Sequence, residues 1–267
     1  YSTRSAFAAV KDDGSVVTWG EGSRGGNSNN VSQLLTGGVT TIASHSSAFA
    51  ALKGDGSVVT WGDSTNGGNS SSVAGSISSG VTELASTDFA FAALKDDGSV
   101  VSWGYSSFGG TASGAISSGV VKLFSNDTAF AALKENGSVV VWGDDEEGGA
   151  LGSAASSLTA GVITIESTSS AFAALKDDGS VVSWGWSLYG GDSSAVASEL
   201  TGGVVELFSS YGAFAALKDD GSVVTWGNQE LGGDIDAEIH GLIGGFDVNV
   251  TAAPAGSLDN GVVDIFS

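Results

Sequence analysis

One phrase, AFAALKDDGSVVTWG or a near variant, recurs six times along this 267-residue chain and places tryptophan at 19, 61, 103, 142, 184 and 226. The spacings are 42, 42, 39, 42 and 42 residues. A fixed period between roughly 20 and 50 residues is the mark of an array whose units bury apolar surface against their neighbours. A second run follows each of the first five tryptophans: GVTTIAS (38–44), GVTELAS (80–86), GVVKLFS (119–125), GVITIES (161–167) and GVVELFS (203–209).

Three strands read from each repeat, by alternation and β-branched content. Strand A is the GVTTIAS run, strand B is AFAALK and strand C is SVVTWG. B and C are joined by short connections such as Asp55-Gly56 and Asp97-Gly98, whose glycine supplies the positive φ that a tight hairpin needs. After C the repeat runs WG-x-x-x-x-GG and then a Ser/Ala/Leu linker that holds either a short helix or an outer strand. Three strands cannot bury both of their faces alone, so neighbouring units must cover them.

The expected fold is all-β: a β-propeller of six complete three-stranded blades in one domain, 1–267. The units lie near 1–37, 38–79, 80–118, 119–160, 161–202 and 203–233. An irregular insertion, 234–260, follows. Within it 246–250 alternates as Phe246, Asp247, Val248, Asn249, Val250 and reads as an added strand, either a vestigial seventh blade or a closure device. The chain opens on a strand B without its A and ends on GVVDIFS (261–267), an A without its B and C. Pairing the last segment with the first unit would hide two sheet edges and close a ring. The start at Tyr1 without Met reads as a processed or excised chain.

The unit resembles the regulator of chromosome condensation repeat, with its ALT..G.VY.WG....GQLG pattern, and more closely the short repeat of the propeller-type β-lactamase inhibitor family, GV..IA...(S/A)LALK.GKVIAWG....GQ. The resemblance covers nearly the whole chain except 234–260. It implies a propeller fold and, in function, a nucleotide exchange factor, an enzyme inhibitor or a surface module. Two departures stand out: GG replaces GQ after every strand C, and the well-known relatives have seven blades.

Composition narrows the function classes. Thirty acidic residues against nine basic ones give a net charge of -21, and the seven lysines are dispersed, which argues against nucleic acid or an anionic membrane surface as partner. The absence of cysteine excludes disulfides, thiolate metal sites and cysteine nucleophiles. No apolar run reaches the roughly 20 residues of a spanning helix. The two histidines, His45 and His240, stand outside any metal or nucleophile motif, and His45 reads as a surface residue of a variable loop. The acidic run Asp144-Asp145-Glu146-Glu147 and the Asp-Asp-Gly turns read as solvated charge and turn chemistry, without catalytic or calcium-binding roles. No cofactor and no metal site is expected.

Variation among near-identical units is the more informative signal. Loops after strand C read EGSR, DSTN, YSSF, DDEE, WSLY and NQEL. Tyr105 and Phe108 stand in one, Trp186, Leu188 and Tyr189 in another, and Phe89 and Tyr211 join them from A-to-B loops on the same face. Aromatic side chains on a rigid scaffold fit a partner-binding surface, whereas the recurrent WG tryptophans and AFAALK phenylalanines read as packing between units. The expectation is a non-catalytic module that presents this face to a protein or glycan, secreted or at the cell surface. Two alternatives stand beside it: a structural subunit of a longer extracellular array, with self-assembly, and an inhibitor or exchange factor. Asn30, Asn69, Asn126, Asn136 and Asn249 lie in N-x-Ser/Thr sequons.

Overall fold

Strand B carries apolar residues without alternation, the pattern of a strand covered on both faces, while strand C alternates more nearly. The computed structural model describes residues 1–111, 116–234 and the backbone of 257–258. In it the two runs fold back on each other as antiparallel hairpins, with B at Ala6–Val10, Ala48–Lys53, Ala90–Lys95, Ala129–Lys134, Ala171–Lys176 and Ala213–Lys218. Strand C follows at Val16–Gly20, Val58–Gly62, Val100–Gly104, Val139–Gly143, Val181–Gly185 and Val223–Gly227. Strand A pairs with the far edge of B at Val39–Ser44, Val81–Ser86, Val120–Ser125, Val162–Ser167 and Val204–Ser209. Each A strand carries a bulge one residue in, which turns Thr40, Thr82, Val121, Ile163 and Val205 outward.

Among the described residues six antiparallel sheets result, numbered 1 to 6 along the chain. They fall into two compact units, Tyr1–Ala150 with sheets 1 to 4 and Leu151–Ser267 with sheets 5 and 6. Four of the sheets have the expected three strands. Sheet 1 has two, and sheet 6 gains a fourth from Ser257–Leu258, inside the stretch expected to be irregular. The first unit has no strand A, as read from the sequence, but a trace of its pairing is present. Ser2 bridges Phe7 in the register of Ser44 on Phe49, and Tyr1 exchanges two 2.9 Å backbone bonds with Ala8. The added strand at 246–250 and the closing strand at 261–267 lie outside the described residues.

The linkers are neither helix nor full strand. Short turns lead to one strand-like bond, such as Val58 N–H to the Ile77 carbonyl at 3.0 Å, and bury Leu35, Ile77 and Leu200 as plugs.

The core lies between successive sheets. Ala48 and Ala50 of sheet 2 pack with the linker residue Ile77 and with Phe91, Ala93 and Trp103 of the next repeat, and the same residue types meet between sheets 1 and 2, 3 and 4, and 5 and 6. Alanine on the covering face lets the sheets approach, and the facing Phe and Trp fill the gap. Phe and Trp stand opposite each other in every hairpin and stack at 5.1 to 5.6 Å. Gly67 then closes the interface. Its φ is +96°, a Cβ there would lie 2.8 Å from the Phe91 ring, and its carbonyl accepts from Trp103 Nε1 at 3.0 Å.

At the other end the hairpin turn serves twice. Asp55 Oδ1 accepts from Ser57 N–H at 3.0 Å and Ser57 Oγ at 2.6 Å, while the carbonyl of Gly56 accepts from Val81 N–H of the next sheet at 3.0 Å. The same Ser bonds hold the exposed carboxyls of Asp55, Asp97, Asp178 and Asp220 below the usual carboxylate range. This is turn chemistry.

Burial sets the expected response to mutation. Phe130 is fully buried whereas Phe7, at the equivalent position of sheet 1, is 50% exposed. Phe130→Ala is expected to cost about 3 to 5 kcal/mol by the cavity it leaves, and Phe7→Ala under about 1.5 kcal/mol. Paired urea midpoints check this, and equal losses would contradict it.

Candidate functional site

Antiparallel pairing brings the A-to-B loop and the loop after strand C to one end of each sheet, and a recurrent hydrogen bond ties them. Its donor lies 21 residues before its acceptor carbonyl: Thr3 to Arg24 at 3.1 Å, His45 to Asn66 at 2.7 Å, and Thr87 to Phe108 at 2.9 Å. Asn126 to Glu147 at 2.6 Å, Thr168 to Tyr189 at 2.9 Å and Ser210 to Leu231 at 2.6 Å complete the series. Any short polar donor serves, which is why the residue type drifts between repeats.

His45 is therefore not the surface residue expected of it. It is 8% exposed, its Nδ1 accepts from Ser47 N–H at 3.3 Å, and Nε2 carries the proton toward Asn66. Burial pushes its pKa down to about 4, against the opposing pull of the Asn66 carbonyl and the Asp63 carboxylate. Asn126, read as a sequon, is likewise buried with its side chain engaged, so only Asn30, Asn69 and Asn136 are exposed among the described sequons. His240 and Asn249 lie outside the described residues.

The predicted aromatics form two separate clusters, one in each compact unit. In the first, Phe89 and Phe108 meet edge to face at 4.9 Å, Phe89 reaches His45 at 6.5 Å, and Tyr105 leans on Phe108 at 5.7 Å. Only Tyr105 is well exposed, at 45%; Phe89 and Phe108 are half-buried and make its floor. In the second, Trp186 stacks on Tyr189 at 4.9 Å and 23°, and Tyr189 meets Tyr211 edge to face at 6.0 Å. Trp186, Leu188 and Tyr211 are 43, 54 and 65% exposed. Residue-by-residue reading missed two members, Leu231 and Gly212. A Cβ on Gly212 would lie 2.6 Å from Leu231 and 2.9 Å from Tyr189, so the missing side chain is what seats both. The only sequence signal was the 21-residue step from Ser210 to Leu231.

The loop backbone shows what the aromatics displace. The residue after WG is extended in every repeat and followed by a tight turn. Asp63 accepts there from two backbone N–H groups, Asp144 from two, and Asn228 from one. Tyr105 and Trp186 hold the same backbone, at φ -74° and -69°, with no side-chain cap. A cap of this kind is worth about 0.5 to 2 kcal/mol. At both positions a stabilising acceptor is replaced by an exposed ring. The acidic run 144–147 is explained by the same turn: Asp144 caps it, and Glu147 accepts from Thr128 Oγ1 at 2.8 Å.

Among the described residues no group of three or more His, Asp or Glu side chains is placed to hold a metal ion. Asp127, beside Asp88 and Glu147, is held above the usual carboxylate range, first by burial and then by those two charges, with Arg4 opposing.

No family model matches the chain, and no curated protein matches it. Solved structures do. The entire ectodomain of the receptor kinase CR4 from Physcomitrella patens is 16% identical, with 85% of this chain and 62% of that chain covered and a TM-score of 0.50. Human WBSCR16 is 19% identical, over 71% of this chain and 61% of that one, at 0.47. Prp20p from Saccharomyces cerevisiae, whose structure was described with its binding to Gsp1p and histones, is 20% identical over 71% and 57%, at 0.46; the same protein was solved as yeast RCC1 bound to Kap60. The chain spans about three fifths of the length of each. At these identities the likeness is one of fold. It agrees with an all-β fold, and it does not test the β-lactamase inhibitor resemblance.

The buried imidazole makes a pH test. Its pKa is about 4 in the folded chain and near 6.5 unfolded, so the unfolded state takes up the proton first as pH falls. The contribution of neutral His45 is fully present above about pH 6.5 and is lost between there and about 4. His45→Asn, which keeps a donor to Asn66 as Asn126 does for Glu147, should hold stability at pH 7 within about 1 kcal/mol and flatten that slope. Urea midpoints across this range check it; an unchanged slope would refute the assignment.

Proposed function

We propose that the chain is a non-catalytic binding module that captures a protein partner with the Trp186 loop, working outside the cell. The observation that carries this reading is the uncapped turn. Of six repeats, three place Asp or Asn where the side chain holds the loop, Glu21 in the first makes no such bond, and Tyr105 and Trp186 put an exposed ring there instead.

The surface chemistry supports a protein partner over a sugar. Trp186, Tyr189 and Tyr211 present stacked and edge-on rings, and Leu188 and Leu231 widen the patch with aliphatic area. Trp and Tyr held rigid by a scaffold are the side chains that dominate protein interfaces. The Tyr105 cluster offers a second, smaller surface of the same kind. An inhibitor or an exchange factor would be a special case of such capture. A net charge of -21 with no cysteine fits an exposed, solvated setting and disfavours acidic partners.

The intact chain and the double variant Trp186→Ala/Tyr189→Ala, each immobilised and exposed to native surroundings, test the reading. The intact chain should retain a protein that the variant loses, with affinity reduced at least about tenfold per truncated ring. Equal retention by both would remove the loop from the binding surface. A captured polysaccharide in place of protein would overturn the partner class.

A further inference from the structure

The residue before strand B and the last variable residue of the loop after strand C stand nineteen apart in every repeat. In four repeats the two match in kind. Asn66 Nδ2 donates to Ser47 Oγ at 3.2 Å, and Thr128 Oγ1 donates to Glu147 Oε2 at 2.8 Å. Phe89 meets Phe108 edge to face at 4.9 Å, and Leu231 reaches within 2.6 Å of where a Cβ on Gly212 would stand. Each of these loop ends is sealed within its own sheet, by a polar pair or an apolar one.

Sheet 5 differs. Its pair is Ser170 and Tyr189; the Ser170 hydroxyl lies 3.4 Å from that of Ser169, while Tyr189 lies against sheet 6. There its ring stands 2.9 Å from the same Cβ position of Gly212 and meets Tyr211 edge to face at 6.0 Å, and its face carries Trp186 at 4.9 Å. Gly212 therefore admits a side chain from each of two loops, which belong to one compact unit. It has no positive φ, so space and not conformation calls for glycine there.

That space is unlike the one beneath the loop glycines. A Cβ on Gly25, Gly67, Gly109 or Gly190 would lie 2.5 to 2.8 Å from the buried ring of Phe49, Phe91, Phe130 or Phe214. The carbonyls of those glycines accept from the following indole at 3.0 to 3.1 Å. A side chain at those four positions would pry sheets apart. At Gly212 it would meet a leucine methyl and the edge of a surface tyrosine, which can swing aside and leave the sheets in place.

We propose that Gly212 is a positioning residue that joins the loops after sheets 5 and 6 into one binding surface, running from Trp186 through Tyr189 to Tyr211 and Leu231. This rests on the reading of the Trp186 loop as a partner-binding site, and adds that the partner reaches across two repeats. Side chains already seated in the free chain cost a partner less to immobilise, and adjoining anchors are what make a hot spot. A side chain at 212 pushes Tyr189 and Leu231 apart and divides the surface. Serine is the informative replacement, because Ser5, Ser47 and Ser170 hold the equivalent position in their sheets.

NMR of the full chain reads the seat directly, and titration of the purified protein that the intact chain retains reads its use. In the wild type the Tyr189 ring should show cross-relaxation to the Leu231 methyls and to the Tyr211 ring. Gly212→Ser should keep a urea midpoint close to that of the wild type, lose those contacts and bind about tenfold more weakly. Gly212→Ser/Leu231→Asn, which rebuilds the Ser47–Asn66 pair, should fold as well and bind no better. Contacts absent from the wild type, or kept in full by Gly212→Ser, overturn the proposal. So does Gly212→Ser binding with wild-type affinity while Trp186→Ala/Tyr189→Ala does not. Equal binding by the wild type and that double variant, or recovery of no protein, removes the Trp186 surface itself and this role with it.

Discussion

Successive sheets are held by one contact: an indole N–H bonded to a glycine carbonyl in the loop of the sheet before, with that glycine flat against a Phe–Trp stack. The bond satisfies a buried donor that would otherwise be costly, and the missing Cβ brings backbone against ring. From this the rest of the repeat follows. Strand B must carry alanine where the next sheet presses, as in Ala48 and Ala50, both fully buried. The loop must turn sharply enough to present its carbonyl. The departure from the GQ of the resembled families has the same origin, since a Cβ on Gly68 would lie 2.5 Å from the carbonyl carbon of Gly62. The loop curls too tightly onto the end of strand C to admit a side chain there.

With the sheets locked at the loop's glycine, the four residues before it are free to vary. The bond from the A-to-B loop to the last of these is made by Thr, His, Asn or Ser with equal success, so it constrains hydrogen-bonding capacity and little else. The first is where the turn would be capped. Asp63, Asp144 and Asn228 follow that preference; Tyr105 and Trp186 do not. Departures from a local rule on an otherwise repetitive scaffold are where function is sought.

Much of this was legible before any coordinates. Six phrases in near-register announced hairpins, turn glycines and stacked tryptophans, because local propensity and apolar pattern agree in every copy. The readings that failed share a cause. His45 read as a surface residue and Asn126 as a sequon because each sits in a short polar segment, and what engages them is a carbonyl 21 residues away. Tyr1 and Ser2 form no strand, and their place is set by Ala8 and Phe7 across the ladder. Phe89 and Phe108 stand beside Tyr105, and their mutual edge-on contact makes them its floor.

By itself, then, the sequence determined the strands, their order and the identity of the packing residues, since these depend on alternation, turn chemistry and repetition within a few residues. Tertiary structure decided which side chains are left over: that Trp186, Tyr189 and Tyr211 meet while Gly212 makes room beneath them, and that His45 is a buried donor and not a surface group. Burial is a property of what lies across the gap, which no phrase carries within itself.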